Sequence, residues 1–580
     1  MTLGVKLGVN ESLEIWAPRA QEVAVEHGGV LYPARRCERG YYEVDAPPIG
    51  SDYYLVLDGR RRPDPRSALQ PHGVHGPSRR IAHDFAWQDG EFRAPPLASG
   101  VIYELHVGTF TAEGTFAAAT DRLADLAELG VTHVELMPVA SFPGQHGWGY
   151  DGVCLWAPHP AYGTPDELKR LVARAHALGL AVLLDVVYNH LGPDGNYLAE
   201  LGPYFTERYR TPWGSAVNLD EAGSDEVRKF FVDNACMWLR DYHFDGLRLD
   251  AVHAFADRSA RHFLEQLSEA VAELSGALGR PLVLIGESDL NDPRLVRERV
   301  ASGYGLDAQW SDDLHHALHA ALTGERSGYY ADFGALADIV RTLREGYAYA
   351  GRYSRFRERT HGRPLAGVSS NRLLGYLQTH DQVGNRARGE RIAMLTSPGR
   401  ARIGAAIALC APCVPMLFQG EEWAASSPFL YFTDHQSPEL AQAVREGRQA
   451  EFAAFGWAPQ DVPDPQAPDT FRASVLDWSE RQREPHAGML QFYRALIALR
   501  RSSRDLQTGD LQRVEAACDD ARGWLSLRRG AVTLQANLGA AKVVLPAPPG
   551  RCVLAHPSVP EHEAGGVALL PDGCALWLAE

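Results

Sequence analysis

The chain has 580 residues, of which 45% are apolar and 22% charged, and its 57 basic and 73 acidic side chains give a net charge of −16. At roughly 100–200 residues per domain it has room for about three to five domains, and its apolar content excludes disorder of the whole chain. The acidic balance argues against a chain-wide grip on nucleic acid or an anionic membrane and suits a neutral substrate, for which 12 Trp, 22 Tyr and 20 Phe offer flat faces.

Residues 1–13 carry one Lys and none of the apolar core of a secretory signal. The longest nearly uncharged run, 403–419, contains Gly404, Pro412 and Pro415. It is shorter than the roughly 20 residues of a membrane span and reads as a buried helix followed by a buried strand. Of the eight Cys, only Cys410 and Cys413 have CxxC spacing. With no second pair they read as small buried thiols, and a reduced, cytoplasmic protein is expected.

Residues 1–95 hold short β-rich segments at 13–18, 23–25 and 41–44, broken by Gly and Pro, which predict an N-terminal β-sandwich. The turn-rich segments 63–67 and 73–78 read as a long connection. From residue 101 the pattern changes. Apolar runs recur at 101–107, 131–137, 181–187, 246–250, 282–286, 306–310, 373–379 and 414–418. Helical stretches lie between them at 121–129, 165–178, 225–240 and 258–278, with Pro165 at a favoured first helical position. Eight strands alternating with helices predict a closed parallel (β/α)8 TIM barrel over 96–502. Insertions are expected at 192–219 and 323–371, and an irregular stretch at 424–478. A last helix reads at 486–501. Strand-like segments at 524–527, 532–535, 542–545 and 574–578 predict a C-terminal β-sandwich domain over 503–580.

Chemistry in such a barrel sits at the C-terminal ends of the strands. The third strand ends Asp185-Val186-Val187-Tyr188-Asn189-His190, the fourth carries Arg248 and Asp250, the fifth ends Gly286-Glu287, and the seventh ends Gln378-Thr379-His380-Asp381. Arg248 and Asp250, two apart, point to one side of a strand, and the Arg keeps the Asp ionised as an anionic nucleophile requires. The apolar lead-in to Glu287 suits a general acid. Each feature has a plainer reading. Asp185 could be a structural acceptor, Arg248 with Asp250 a buried ion pair, Glu287 a helix cap, and His380-Asp381 a turn. Four such ends on one barrel favour function. Two carboxylates on facing strand ends with a third beside them point to glycoside cleavage. The His and carboxylate residues are too dispersed for a zinc motif. A single calcium ion held by oxygen ligands stays open, with Asn189 as the foremost candidate.

These four segments, in this order, resemble the four motifs of the α-amylase superfamily. The resemblance implies Asp250 as nucleophile, Glu287 as general acid/base and Asp381 as the third carboxylate, which holds sugar hydroxyls. It implies Arg248, His190 and His380 as partners at the same subsite and Tyr150 as a stacking aromatic. A closer resemblance is to the malto-oligosyltrehalose trehalohydrolases, carried by 103–111, 134–139, 189–198, 286–292, 310–316 and 380–386. It implies a retaining hydrolase that cuts the α-1,4 bond next to a terminal trehalose, with no dissociable metal or organic cofactor. Three features depart from common amylase patterns. His253-Ala254 stands where many amylases have Lys-His, Thr379 replaces the usual Asn, and the extra calcium ligands of calcium-dependent amylases are not located. Glycogen branching, debranching and non-catalytic glucan binding are the rival readings. His253, Asp312, Asp313 and Gln382 are further candidates for substrate contact, the first three on the leaving-group side.

Overall fold

The computed structural model describes residues 12–453, 458 and 461–579. The signal-peptide reading of residues 1–13 lies almost wholly outside them. The eight expected barrel strands form: β1 Ile102–Leu105, β2 His133–Leu136, β3 Ala181–Val186, β4 Gly246–Leu249, β5 Val283–Gly286, β6 Ala308–Trp310, β7 Leu373–Tyr376 and β8 Val414–Phe418. They close in sequence order, β8 pairing with β1, and every neighbour is parallel. Nearly every strand residue is buried, which is why these strands read as continuous apolar runs rather than alternating ones. Gly246 is needed at the start of β4, because a Cβ there would stand 2.5 Å from the Val283 carbonyl oxygen.

The ring of helices includes α1 Phe116–Leu129, α2 Pro165–Ala177, α3 Ser224–Asp241 and α4 Phe263–Leu278. It continues with α5 Asp312–Thr323, the one-turn α6 His380–Gly384, and α7 Pro398–Cys410. Thr164 and Glu167 close a reciprocal capping box ahead of α2, with Pro165 at its first position. The fourth helix starts later than the expected 258, because the Asp257 carboxylate accepts from Phe263 N at 2.6 Å and His262 caps Leu264. The stretch 424–478 is less irregular than its sequence implies, for it contains α8 Pro438–Ala453. Its inner, half-buried face mixes Leu440, Ala441 and Val444 with Arg445, Arg448 and Gln449, so no apolar stripe of the kind by which helices are read marks it.

The N-terminal strands form two sheets, one from Ser12–Trp16, Tyr41–Asp45 and Arg35–Arg36, the other built on Val23–His27 and Asp52–Leu57. Ile15, Tyr42 and Val44 of one sheet and Val25, Tyr53 and Leu55 of the other share the main core. This unit leans on the insertion that follows β3. Trp16 meets Tyr204 edge-on at 5.2 Å, and Arg62 forks onto Glu200 at 2.9 and 3.0 Å.

After α9 His486–Ser502, a five-stranded sheet faces a three-stranded one. Val543, Leu545, Val567 and Leu569 of the smaller sheet pack on Ala575 and Trp577 of the larger. Two buried arginines, one on α9 and one in the larger sheet, converge on the end of α7. Arg500 donates to the carbonyls of Leu409, Ala411 and Cys413, and Arg529, in the larger sheet, donates to those of Cys410, Ala411 and Leu506. They satisfy the orphan carbonyls at the end of α7, just before β8. Cys410 and Cys413 are buried free thiols, as expected.

Candidate active site

The strand register places Asp185 of β3 directly beside Arg248 of β4. Arg248 Nη1 donates to both Asp185 oxygens at 3.0 and 2.9 Å and to Asp250 Oδ1 at 2.9 Å. Its Nη2 lies 3.0 Å from Glu287 Oε2. One fully buried guanidinium therefore holds carboxylates from the ends of three successive strands. The Trp310 ring backs it, 4.3 Å from its centre. The ion-pair reading of Arg248 holds, and it is compatible with the catalytic one.

Just past Asp250 the chain takes a strained turn. Ala251 has φ 38°, in the left-handed region that non-glycine residues rarely occupy. The turn aims Ala251 N at Glu287 Oε2, 2.6 Å away. Glu287 sits in a charged, hydrogen-bonded setting with its side chain 20% exposed. The apolar lead-in on β5 does not extend to the carboxyl group itself.

Asp381 opens the next wall. Burial pushes its carboxyl up, while His380 opposes the shift. Asn385 Nδ2 donates to Asp381 Oδ1 at 2.6 Å, and Arg448 of α8 donates to Asn385 Oδ1 at 3.1 Å and to the Gly384 carbonyl. Gly384 has no room for a side chain, since a Cβ would fall 2.0 Å from the Trp148 ring. Gln382 is buried, and its Oε1 accepts from Thr379 Oγ1 at 2.5 Å, which braces the turn into α6.

His380 is gripped from below. Glu104 of β1 accepts from its backbone N–H at 2.9 Å and from its Nδ1. The ring lies against Tyr150 with centroids 5.1 Å apart. The Tyr150 hydroxyl reaches Asp185 Oδ2 at 2.6 Å and His380 Nε2 at 2.8 Å. His190 bonds the Tyr150 carbonyl at 3.1 Å, and burial lowers its pKa to about 4, so the ring is neutral. Its face is covered by Trp213, coplanar within 4° and 4.6 Å away. Trp213 stands on the hairpin between Phe205–Thr211 and Gly214–Val217 and is 47% exposed.

Asp312 begins α5 and accepts from the Tyr376 hydroxyl. Burial raises its pKa to about 7, and the charges of Glu287, Asp289 and Asp381 add to the rise. Asp313 is committed elsewhere. Its Oδ2 accepts from Asn291 Nδ2 and from the N–H groups of Ala348 and Tyr349 at 2.8–2.9 Å. His253 is exposed. Burial works against the Asp289 carboxylate, but His253 and Arg357 outweigh it and hold Asp289 below the usual carboxylate range.

Glu104, Glu135, Trp213, Asn385 and Arg448 were not assigned by sequence reasoning. The first two had a signal, a glutamate inside an otherwise apolar barrel strand. Trp213 lay in an insertion whose fold no pattern announced. Asn189 is buried with its side-chain amide unpartnered. Among the described residues, no group of three or more His, Cys, Asp or Glu side chains is placed to hold a metal ion.

Fold and site together define a (β/α)8 glycoside hydrolase of the α-amylase type. Residues 85–212 match the family model described as alpha amylase, catalytic domain, and residues 509–576 match a domain of unknown function, DUF3459. The chain is 50% identical to malto-oligosyltrehalose trehalohydrolase of Arthrobacter ramosus, over 97% of this chain and 98% of that one. It is 48% identical to the protein of the same name from Mycobacterium tuberculosis (strain CDC 1551 / Oshkosh), over 94% and 95%. A 1.4 Å crystal structure of an alpha amylase candidate from Salmonella typhimurium superposes with TM-score 0.90 at 38% identity, covering 98% of this chain and 97% of that one. The chain belongs to the malto-oligosyltrehalose trehalohydrolase family.

Proposed function

We propose that this chain hydrolyses malto-oligosyltrehalose at the α-1,4 bond next to its terminal trehalose, releasing trehalose and a shortened malto-oligosaccharide. The observation that carries the reading is the single Arg248 guanidinium aligning Asp250 and Glu287 at adjacent strand ends, in a chain similar along nearly its full length to enzymes of that name.

In this reading Asp250 attacks the anomeric carbon and forms a glycosyl ester. Glu287 gives its proton to the departing trehalose oxygen. Glu287 then takes a proton from water, whose oxygen attacks the same carbon and frees Asp250, so the anomeric configuration is retained. Asp381 and His380 hold the sugar at the reacting centre, with Tyr150 and His190 beside them. No step needs a metal or an organic cofactor. A cytoplasmic role in making trehalose fits this activity. Among the described residues no helix is long and apolar enough to cross a membrane.

The test is a product assay. Incubation with malto-oligosyltrehalose should yield free trehalose, and amylose should yield little. A branched glucan from amylose would select a transferase instead, and no product from either would select a non-catalytic glucan binder.

A further inference from the structure

A line of hydrogen bonds crosses the barrel from β1 to the nucleophile. Glu104 accepts from the N–H and Nδ1 of His380, and His380 Nε2 meets the Tyr150 hydroxyl at 2.8 Å. Tyr150 meets Asp185 Oδ2 at 2.6 Å, and Arg248 Nη1 joins Asp185 to Asp250. Most directions along this line are fixed, since a guanidinium only donates and a carboxylate only accepts. The tyrosine has one proton to give. If it goes to Asp185, the phenol oxygen accepts from Nε2–H, and the ring carries protons on both nitrogens. Were Asp185 protonated instead, it would donate to Tyr150, and Tyr150 to a bare Nε2.

We propose that Glu104 is a positioning residue that keeps this proton on His380, so that the ring faces the substrate as an imidazolium locked at both nitrogens. Three observations support it. Asp185 already meets Arg248 through both oxygens, the arrangement of a carboxylate. Glu135 stands beside Glu104 in the β1–β2 register, buried, with neither oxygen partnered. Burial, with the charges of Glu104 and Asp185 beside it, pushes the Glu135 carboxyl far up and favours its neutral form. Burial disfavours a charged His380, but Glu104 outweighs it and raises the pKa.

The other groups facing the ring are Asp381 on its own helix, Asp185 of β3, Arg248 of β4, Tyr150, and the rings of Trp148 and Trp310. Burial raises the Asp185 pKa to about 7, against the pull of Arg248, the Tyr150 hydroxyl and His380. His106, also within reach of its charge, is pushed down to about 3 by burial and stays neutral. A ring held this way spends Nδ1–H on Glu104 and Nε2–H on Tyr150, so it meets the substrate as a fixed positive charge and accepts no hydrogen bond.

The experiment uses the full chain labelled with 15N-histidine, with His380 assigned by its loss in His380→Asn. At pH 7 both ring nitrogens should show protonated shifts in the unmodified protein. In Glu104→Gln the ring should be neutral at pH 7, and kcat should fall about 100-fold. Because Glu104 raises the His380 pKa, its removal lets the proton go at lower pH, so the alkaline limb of kcat/KM should move to lower pH. Glu104→Asp should recover part of the limb. A neutral His380 in the unmodified protein, or an unmoved limb in a folded Glu104→Gln, overturns the proposal. The kinetic arm rests on the proposed hydrolysis, whereas the NMR arm does not, so a failure of either can be told apart.

Discussion

Asp185 and Arg248 are neighbours by strand register, and Arg248 Nη1 bonds both oxygens of that carboxylate while also holding Asp250. The position of the Asp250 carboxylate is therefore set by a residue two places before it and by one on the preceding strand. An arginine buried this completely stays in place only while its partners are charged.

Removal of any of the three carboxylates should abolish turnover without unfolding the protein. Asp250→Ala, Glu287→Gln and Asp381→Asn are each expected to lower kcat by at least about 1,000-fold, equivalent to about 4 kcal/mol of transition-state stabilisation. Trehalose release with circular dichroism as a control checks this. Near-normal turnover in a folded variant removes that residue from the mechanism.

Trp213 presents one ring face to His190 and leaves nearly half its surface open. Sugar rings stack on such faces, so Trp213→Ala should raise KM about 3- to 10-fold, given the roughly 0.5–1.5 kcal/mol worth of an aromatic contact. The change in kcat should be small. A KM unaltered across substrates of different chain length would mean that the hairpin serves packing alone.

Asp312 and His253 are expected to matter more for malto-oligosyltrehalose than for plain malto-oligosaccharides. Asp312 lies within the field of Glu287 and Asp381, and His253 faces Asp289. A site that pairs with one shape leaves groups unpaired by another. Asp312→Ala and His253→Ala should thus cut kcat/KM for the trehalose-ended substrate by about 10-fold more than for the other. Equal losses on both would place the discrimination elsewhere.

Asp312 should also make stability depend on pH. Its folded pKa, about 7, lies above the ordinary carboxylate value, so ionising it costs folding energy. The cost is absent below the unfolded value, grows as pH rises, and is complete above about 7. Asp312→Asn keeps an acceptor for Tyr376 and cannot ionise. Its Tm should exceed that of the parent at pH 8 and match it near pH 4; the same difference at both pH values would refute the charge argument.

The barrel was legible because its strands are buried on both sides, which leaves mainly apolar runs in the sequence. The strand-end residues stood out against those runs for the same reason. What sequence could not supply was register. Glu104 and Glu135 each sat visibly inside an apolar strand, but only the alignment of β1 with β2 puts them side by side, and only the approach of α6 puts His380 on Glu104. Helix α8 was missed because its half-buried face carries Arg445, Arg448 and Gln449 among its apolar residues. Its Arg448 holds Asn385, 63 residues away in sequence, and through it supports Asp381. The expectation for Asp313 differed for a related reason, since its three donors come from residues 22 to 36 positions distant.

Arg529 belongs to the C-terminal sheet, yet it closes carbonyls at the mouth of the turn that feeds β8. A catalytic fragment cut after α9 would keep Arg500 on the Ala411 carbonyl but lose the Arg529 bond to the Cys410 carbonyl, with the flank of α7 stripped. Engineers who wish to shorten this protein, or to graft its barrel onto another scaffold, inherit that dependence. The terminal sheet acts as a keystone for the last strand, and any trimmed version has to bring a substitute for one guanidinium along with the apolar surface around it.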